Sequence, residues 1–599
     1  MKALLAADWW LGRVKLRLEH LPTAPWWQRA LALGALAFVL SLISWAEMLG
    51  HYPNTQQGDG QVFHEMLEAV RVSIVDYHEL PLWNPYQCGG APLWDNPEGL
   101  GAAPVVLALL PLGTTIASEL SYVVHSALGF VCMWLFVRNE IKLSRGAALV
   151  ASAAFAFAGV HNQHLTGGHP TFAPYLYYPL ALLFWRRAES DLRAAVGLGA
   201  LVALMMHEGG TYPLPQLALF LGLETVTRLW PPRRLLPIAR AAAVVVVVGI
   251  CLGASRFLPV IDQLRAHPRQ LGEEHDAMKW QTVWDAFFAR DHGRGVVGQE
   301  YAWTEYGDYM GPVLFVLSVL GILLGGLENA WMLVLLGVAF ALMIGHFGPL
   351  APASILKAHV YPFKQMRVPS RFVAWVAVFL AAYAGVAVDR LRALANRLTP
   401  GKHAPEVRAA ILVVGLLGAA DLMAVGIRFG AQFFNEAPAG HPPASPRLTL
   451  GGKDMAAFID QPRQHRGRVE CWEEWAFGVG APLWQGDVPQ ARAASPKAVI
   501  RSVDRTQNTF TVEVHASAPS RVLLNTAYDR GWTSSVGTVV EKDKLLAVDV
   551  PAGDFRMVVR YWPRGLTPGL WLSGITVTAL VAFWVWRGRR RRALPMFTL

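Results

Sequence analysis

The sequence predicts a polytopic α-helical membrane protein of about twelve spans that carries a C-terminal extracytoplasmic β-sandwich-like domain. Three observations carry this. The 599 residues are 53% hydrophobic and only 16% charged, which is too apolar for an ordinary soluble chain. Apolar runs of near-span length recur from residue 30 to residue 428 and again at 567–586, and a bilayer core needs roughly 20 apolar residues per helix. Between those two regions the pattern changes to short alternating segments bounded by turn residues.

By that ruler the spans fall near 30–49, 115–137, 145–161, 171–187, 192–207, 211–229, 236–257, 309–327, 330–348, 370–392, 407–428 and 567–586. The first run, Arg29 to Gly50, is read as a span rather than a cleaved signal because no small-residue cleavage site follows it. Residues 101–113 are apolar but broken by Pro104 and Pro111, the mark of a re-entrant or interfacial piece buried against the bundle.

The net charge of +10 is distributed as topology requires, not as a nucleic-acid stripe. With a cytoplasmic N-terminus, the inner connections hold Arg13, Lys15, Arg17 and Arg29; Arg138, Lys142 and Arg145; Arg186, Arg187 and Arg193; Arg228, Arg233, Arg234 and Arg240; and Arg390, Arg392, Arg397, Lys402 and Arg408. The Arg587–Arg592 run then follows the last span. This is the positive-inside pattern, with both termini in the cytoplasm. Only the 328–329 turn lacks a cation. Chemistry is accordingly expected outside, where the 50–114 loop, the His161–Pro170 and His207–Tyr212 turns, and the 258–308, 349–369 and 429–566 segments would lie.

The sequence divides into a transmembrane domain (1–428) with a catalytic first outer loop (50–114), a linker rich in Pro, Ala and Gly (429–447), a β-rich extracytoplasmic domain (448–566), and a last span with a basic tail (567–599). TFTVEVHA, RVLLNTA, KLLAVDV and FRMVVRY alternate as half-buried antiparallel strands do. Four cysteines give neither a zinc pattern nor a disulfide framework. Cys88 and Cys471 fall on the same side, so a bridge between them is open.

The 57–101 loop is the long polar, aromatic and glycine-rich stretch of the first half. After Asp59, the residues Val62, Met66, Val70 and Ile74 form one helical stripe, which suits a helix along the membrane surface. The following LWNPYQCGGAPLWDNPEG is dense in Pro, Gly, Asn and Trp and reads as a tightly turned loop. WNPYQCGGAPLWDNPEG is similar to the "LWNPY.fGG.P...NPq" signature of YfhO-type bacterial membrane proteins, which belong to the GT-C superfamily of glycosyltransferases that use polyprenyl-phosphate-linked sugars. KAHVYPFKQMRVPSRF resembles that family's "fRvPsRf" stretch. NTAYDRGWTSSVG with VPAGDFRMVVRYWPRG is similar to its ending.

The resemblance implies a membrane glycosyltransferase that moves a sugar from a polyprenyl-phosphate donor to an envelope glycan or lipid acceptor in the cell membrane, without nucleic acid. It places the catalytic base at Asp59 of QGDGQ, the first-loop acid, which would take the acceptor's proton; the alternative is that Asp59 caps the following helix. Lys364, Arg367 and Arg371 are cations on the unexpected side of the membrane, at a Pro-Ser helix opening. They suit a donor phosphate, or equally an anionic headgroup or loop carboxylates. Gln61, Asn84, Tyr86, Trp94, Glu98, His169, His207 and Glu208 are the candidate substrate contacts, and most of them also read as turn formers or polar caps. Asp76 and Asp95 read as turn or surface residues. The histidine-rich turns match no metal template, and the reading calls for no cofactor. A lipid transporter or flippase, which should show paired half-repeats and broken helices, and a non-catalytic glycan-binding scaffold are the rival readings.

Overall fold

The computed structural model describes residues 25–53, 59–229, 234–268, 276–291, 296, 298–398, 403–436, 448–451, 461–471 and 480–590. Arg13, Lys15, Arg17, Arg233, Lys402, most of the 429–447 linker and the end of the basic tail therefore lie outside the described residues. Each stretch read as a span is mostly helical. Among the described residues, however, only seven helices are long and apolar enough to cross a membrane: Trp26–Ser44, Thr114–Ile141, Leu235–Ala266, Trp303–Leu324, Pro369–Leu398, Ala404–Phe433 and Leu566–Trp586. Leu192–His207 and Ala330–Ile344 are shorter apolar helices.

The expected spans at 145–161 and 171–187 are each broken. The first becomes Arg145–Ala156 followed by a separate helix, Gly159–Thr166, and the second a 3-10 turn, Pro170–Tyr177, followed by Tyr178–Ala188. The break before Gly159 has a local cause. A Cβ there would lie 2.0 Å from the Tyr309 backbone nitrogen, and the Asp308 carboxylate accepts the Val160 N–H at 3.1 Å, serving the new helix start. His161 and His164 thus sit on a short buried helix and not in an open turn.

The bundle is built around Val373–Leu398, which is buried at every position from Val373 to Val388. Such a helix is apolar all round because it has neighbours all round. Its Trp375 is stacked between Tyr178 and Phe220, with ring centroids 4.1 and 4.3 Å away. Three acids inside the spans have partners: Glu224 pairs with Arg186 and Arg228, Asp421 with Arg290 and Tyr309, and Asp389 accepts from Ser144. Burying a charge requires such partners.

Eight strands make two antiparallel sheets in the C-terminal region: β1 Ala491–Ala493, β2 Ala498–Arg505, β3 Thr509–Ala516, β4 Ser520–Ala527, β5 Trp532–Ser534, β6 Thr538–Lys542, β7 Leu545–Val550 and β8 Gly553–Tyr561. One sheet runs β6-β7-β4-β1 and the other β5-β8-β3-β2. Alternation along β3 sends Phe510, Val512 and Val514 inward to meet Val522, Leu524, Leu546 and Val548 of the facing sheet.

The long loop after the first span is docked on this sandwich. Leu82 and Trp83 enter its core, the Trp83 ring lying 4.6 Å from Tyr561 and 5.2 Å from Trp532. Cys88 is disulfide-bonded to Cys471. Gln263, on the long helix Leu235–Ala266, donates to both Asp95 and Asp529 at 2.9 Å, and Tyr561 Oη donates to Asp95 at 3.0 Å. Asp95 is therefore a buried junction residue and not a surface turn. The helix expected on the membrane surface, Gly60–Val75, is also covered: thirteen of its sixteen residues are buried. Glu68 on its far face is gripped by Arg463 through two bonds of 2.6 and 3.0 Å. An interfacial helix keeps a polar face in water, whereas here protein lies on both sides.

Candidate active site

Asp59 and Gly60 lean on the Gly167–Gly168 turn. The Asp59 N–H donates to Gly167 O at 3.1 Å, and a Cβ on Gly168 (φ +91°) would strike the Gly60 nitrogen at 2.0 Å. Only glycine permits both that backbone angle and that approach. Asp59 occupies the N-cap position of Gly60–Val75, yet its side chain makes no capping bond. One carboxylate oxygen instead lies 3.2 Å from Nε2 of His169.

The same Nε2 is 3.8 Å from Glu305. The other Glu305 oxygen lies 3.9 Å from Nδ1 of His164. Glu305 in turn holds Arg371 through two parallel bonds, Nε to Oε2 at 2.8 Å and Nη2 to Oε1 at 2.6 Å. The guanidinium is packed over Tyr212 at 4.3 Å and Phe172 at 4.6 Å, a stacked and bidentate setting that lysine cannot reproduce. A continuous polar line, Asp59–His169–Glu305–Arg371, thereby joins the first loop to the opening of the central helix.

The two histidines are pushed in opposite directions. Burial lowers His164 to about 3, so it stays neutral. Burial also opposes charge on His169, but the hydrogen bond with Asp59 and the nearby Glu305 charge outweigh it and raise its pKa above the ordinary 6.5. Neighbouring groups driven apart in this way mark acid–base sites. The sign has a consequence. A raised folded-state pKa contributes stability in full below about 6.5 and loses it as pH rises through the elevated value. The melting-temperature gap between the wild-type protein and His169→Gln is therefore expected to be widest below that pH and to close on the alkaline side. A gap that does not vary with pH would remove the ion pair.

Of the cation cluster, Arg371 is buried and engaged by Glu305, whereas Lys364 is exposed and Arg367 half-buried. The Arg367 N–H donates to Tyr212 Oη at 3.3 Å, the same ring that lies under Arg371. Arg367 lines a small depression with Lys357, His346 and Tyr212. Val368 follows it in the left-handed region at φ +61°. That conformation is a true outlier for a β-branched residue and costs on the order of 1–3 kcal/mol. Strain of this kind is held where the surroundings fix a side chain for use.

The other candidates fall elsewhere. Gln61 is buried two residues beyond Asp59, donating to Pro53 O at 3.4 Å. Asn84 closes a turn by accepting the Tyr86 N–H at 3.0 Å and donates to Glu65 at 3.3 Å. Trp94 donates to Ser255 O at 2.9 Å, and the Glu98 N–H is received by Asn96 at 2.9 Å. His207 bonds Ala203 O and Ser255 Oγ, tying two helices together. Glu208 is buried with His125 and Tyr177, each 3.3 Å away. Tyr86 is buried in the wall of a different cleft. Glu305 was not singled out from the sequence, although an acid in WTEYGDYMGP, at the head of a span and among aromatic residues, was a signal that could have found it.

No family model and no curated protein matches the chain. Among solved structures, the chain is similar to the arabinofuranosyltransferase AftD from Mycobacteria (15% identity, TM-score 0.43), over 69% of this chain and 27% of that one. It is also similar to the Archaeoglobus fulgidus oligosaccharyltransferase tethered with an acceptor peptide (12% identity, TM-score 0.44), over 74% of this chain and 64% of that one. The chain thus spans about a quarter of the first and less than two thirds of the second.

Proposed function

We propose that this protein is a membrane glycosyltransferase of the GT-C type that takes a sugar from a polyprenyl-phosphate-linked donor outside the cytoplasm. The observation that carries the reading is the Asp59 carboxylate turned away from its own helix and set against His169, in line with Glu305 and Arg371. The motifs shared with YfhO-type proteins support it from the sequence side.

In this reading the acceptor hydroxyl attacks the anomeric carbon of the donor, and its O–H proton passes to the Asp59 carboxylate. The bond from the anomeric carbon to the phosphate oxygen breaks, and polyprenyl phosphate departs with the electron pair. His169 lies against that carboxylate, keeping the base ionised and aimed. Lys364 and Arg367 meet the developing phosphate charge, which preorganised cations stabilise most in the transition state. Arg371, committed to Glu305, positions that edge of the site and is not a first ligand of the phosphate. The acceptor is an envelope glycan or lipid.

Transfer from a radiolabelled polyprenyl-phosphate sugar by the purified, reconstituted protein tests this assignment. Arg367→Ala and Lys364→Ala are each expected to raise the donor KM about tenfold or more, the worth of a charge-assisted hydrogen bond, with the acceptor KM changed less than about twofold. Equal effects on both substrates would make the cluster a structural one.

A further inference from the structure

A cleft of about 770 Å³ opens between the turn around Tyr77–Tyr86 and the β1–β2 edge of the sandwich, within the roughly 300–1,000 Å³ of small-ligand sites. It is remote from Asp59. Asp59 precedes the helix Gly60–Val75 and Tyr77 follows it, and sixteen helical residues span about 24 Å. Gln507 in the cleft wall donates to Ala69 O at 3.0 Å, which seats this part of the sandwich on the far half of that helix.

The walls combine ring faces, hydroxyls, amides and surplus positive charge. Tyr77 and His465 stack with centroids 6.3 Å apart at 26°. Ser502 and Thr506 supply hydroxyls beside them. Arg492, Arg501 and Arg505 line the cleft against one carboxylate, Asp504. Arg501 turns out to Asp554 at 2.7 Å, and Arg492 lies over Trp484 at 4.2 Å.

Arg505 is the unusual group. Its Nη1 donates to Gln490 at 2.8 Å and to Asn525 O at 3.2 Å, and its face covers Phe510 at 4.4 Å. Its Nε and Nη2 are buried with no hydrogen-bond partner among the described residues. Among the described residues, the ionisable groups that act on it are the phenols of Tyr86 and Tyr77. A buried guanidinium with two idle donors is costly unless something completes it, and an oxyanion that accepts two parallel bonds is its natural complement.

We propose that this cleft binds an anionic saccharide, with the acid group met by Arg505 and Arg492 and the sugar ring lying against Tyr77. The acid is a carboxylate or a phosphate, and both present the same paired oxygens. At about 24 Å from Asp59, the site holds a ligand by recognition and takes no part in bond making. It stands apart from the transfer chemistry, so the two readings fail separately.

Calorimetric titration of the full chain in nanodiscs tests it, with trigalacturonate, a hexose phosphate, neutral trigalactose and oligoglutamate as probes. One or both acidic sugars are expected to bind at least about tenfold more tightly than trigalactose, and which of them does so identifies the acid. Arg505→Gln should remove about tenfold or more of that affinity. Because Arg505 also holds Gln490, Tyr77→Ala and Arg492→Ala carry the test if that variant does not fold, each weakening binding about threefold or more. Asp59→Asn should bind as the wild type does. Absence of binding, equal binding of trigalactose, oligoglutamate binding as tightly as the acidic sugars, or affinity unmoved by Tyr77→Ala and Arg492→Ala would each overturn the proposal.

Discussion

Asp59→Asn is expected to lower the rate of sugar transfer by about 10²–10⁴-fold, the range supplied by a positioned general base, while the protein still inserts and, on the alkaline side where the pair with His169 contributes least, melts as before. The second half of that expectation comes from the geometry. A capping aspartate would be nearly replaceable by asparagine, since both accept a backbone N–H, but this side chain caps nothing. Its contact is with His169 at 3.2 Å, and the amide keeps the shape of that contact while losing its charge. His169 would then lose one of the groups that raise its pKa, and the pH profile of any residual transfer should shift toward acid. His169→Gln separates the roles. It leaves the base but loosens its aim, so the rate should fall by less than in Asp59→Asn, with a changed pH profile. Transfer at the wild-type rate by Asp59→Asn would end the assignment of the base.

The helices could be located from the sequence because hydropathy is a local property, and each apolar run read as a span is mostly helical. What hydropathy does not report is whether a helix is continuous. The break at Gly159 depends on Tyr309 and Asp308, which no window of 20 residues contains, whereas the one at Tyr177 sits among Pro170, Pro174 and Pro179. The alternating strands were equally legible, since β3 declares its buried face residue by residue.

The site was half legible. Asp59, His169, Arg367 and Arg371 stood out as polar groups in greasy surroundings. Their partner Glu305 did not, because one acid in a polar loop looks like any other until Arg371 is brought to it. In the WNPY…LWDNP stretch, Asn84, Tyr86 and Trp94 suit a sugar pocket by type and a turn equally well; in the fold Asn84 closes a turn and Trp94 donates to Ser255 O. Side-chain type indicates what a residue can do, and burial decides which of those uses it has.

The second large effect concerns stability. Glu305→Gln is expected to cost about 3–5 kcal/mol, the penalty for leaving a buried charge without its partner. Arg371 is 7% exposed and Glu305 9%, so water cannot replace the lost carboxylate, and the rings of Tyr212 and Phe172 cover a face of the guanidinium. Arg371→Gln should cost a similar amount by stranding Glu305, with one difference: His169 lies 3.8 Å from that carboxylate and can take over part of the compensation when protonated. The arginine variant should therefore be the less damaged of the two at acid pH, and the two should converge as pH rises. In the double variant Glu305→Gln/Arg371→Gln no charge is stranded, so its loss should be well below the sum of the single losses, as a coupled pair requires. Denaturant melts of the four proteins in one detergent measure this directly. Additive losses would mean that Glu305 and Arg371 act separately, and the line of groups from Asp59 to the central helix would then be an accident of packing rather than a single electrostatic unit.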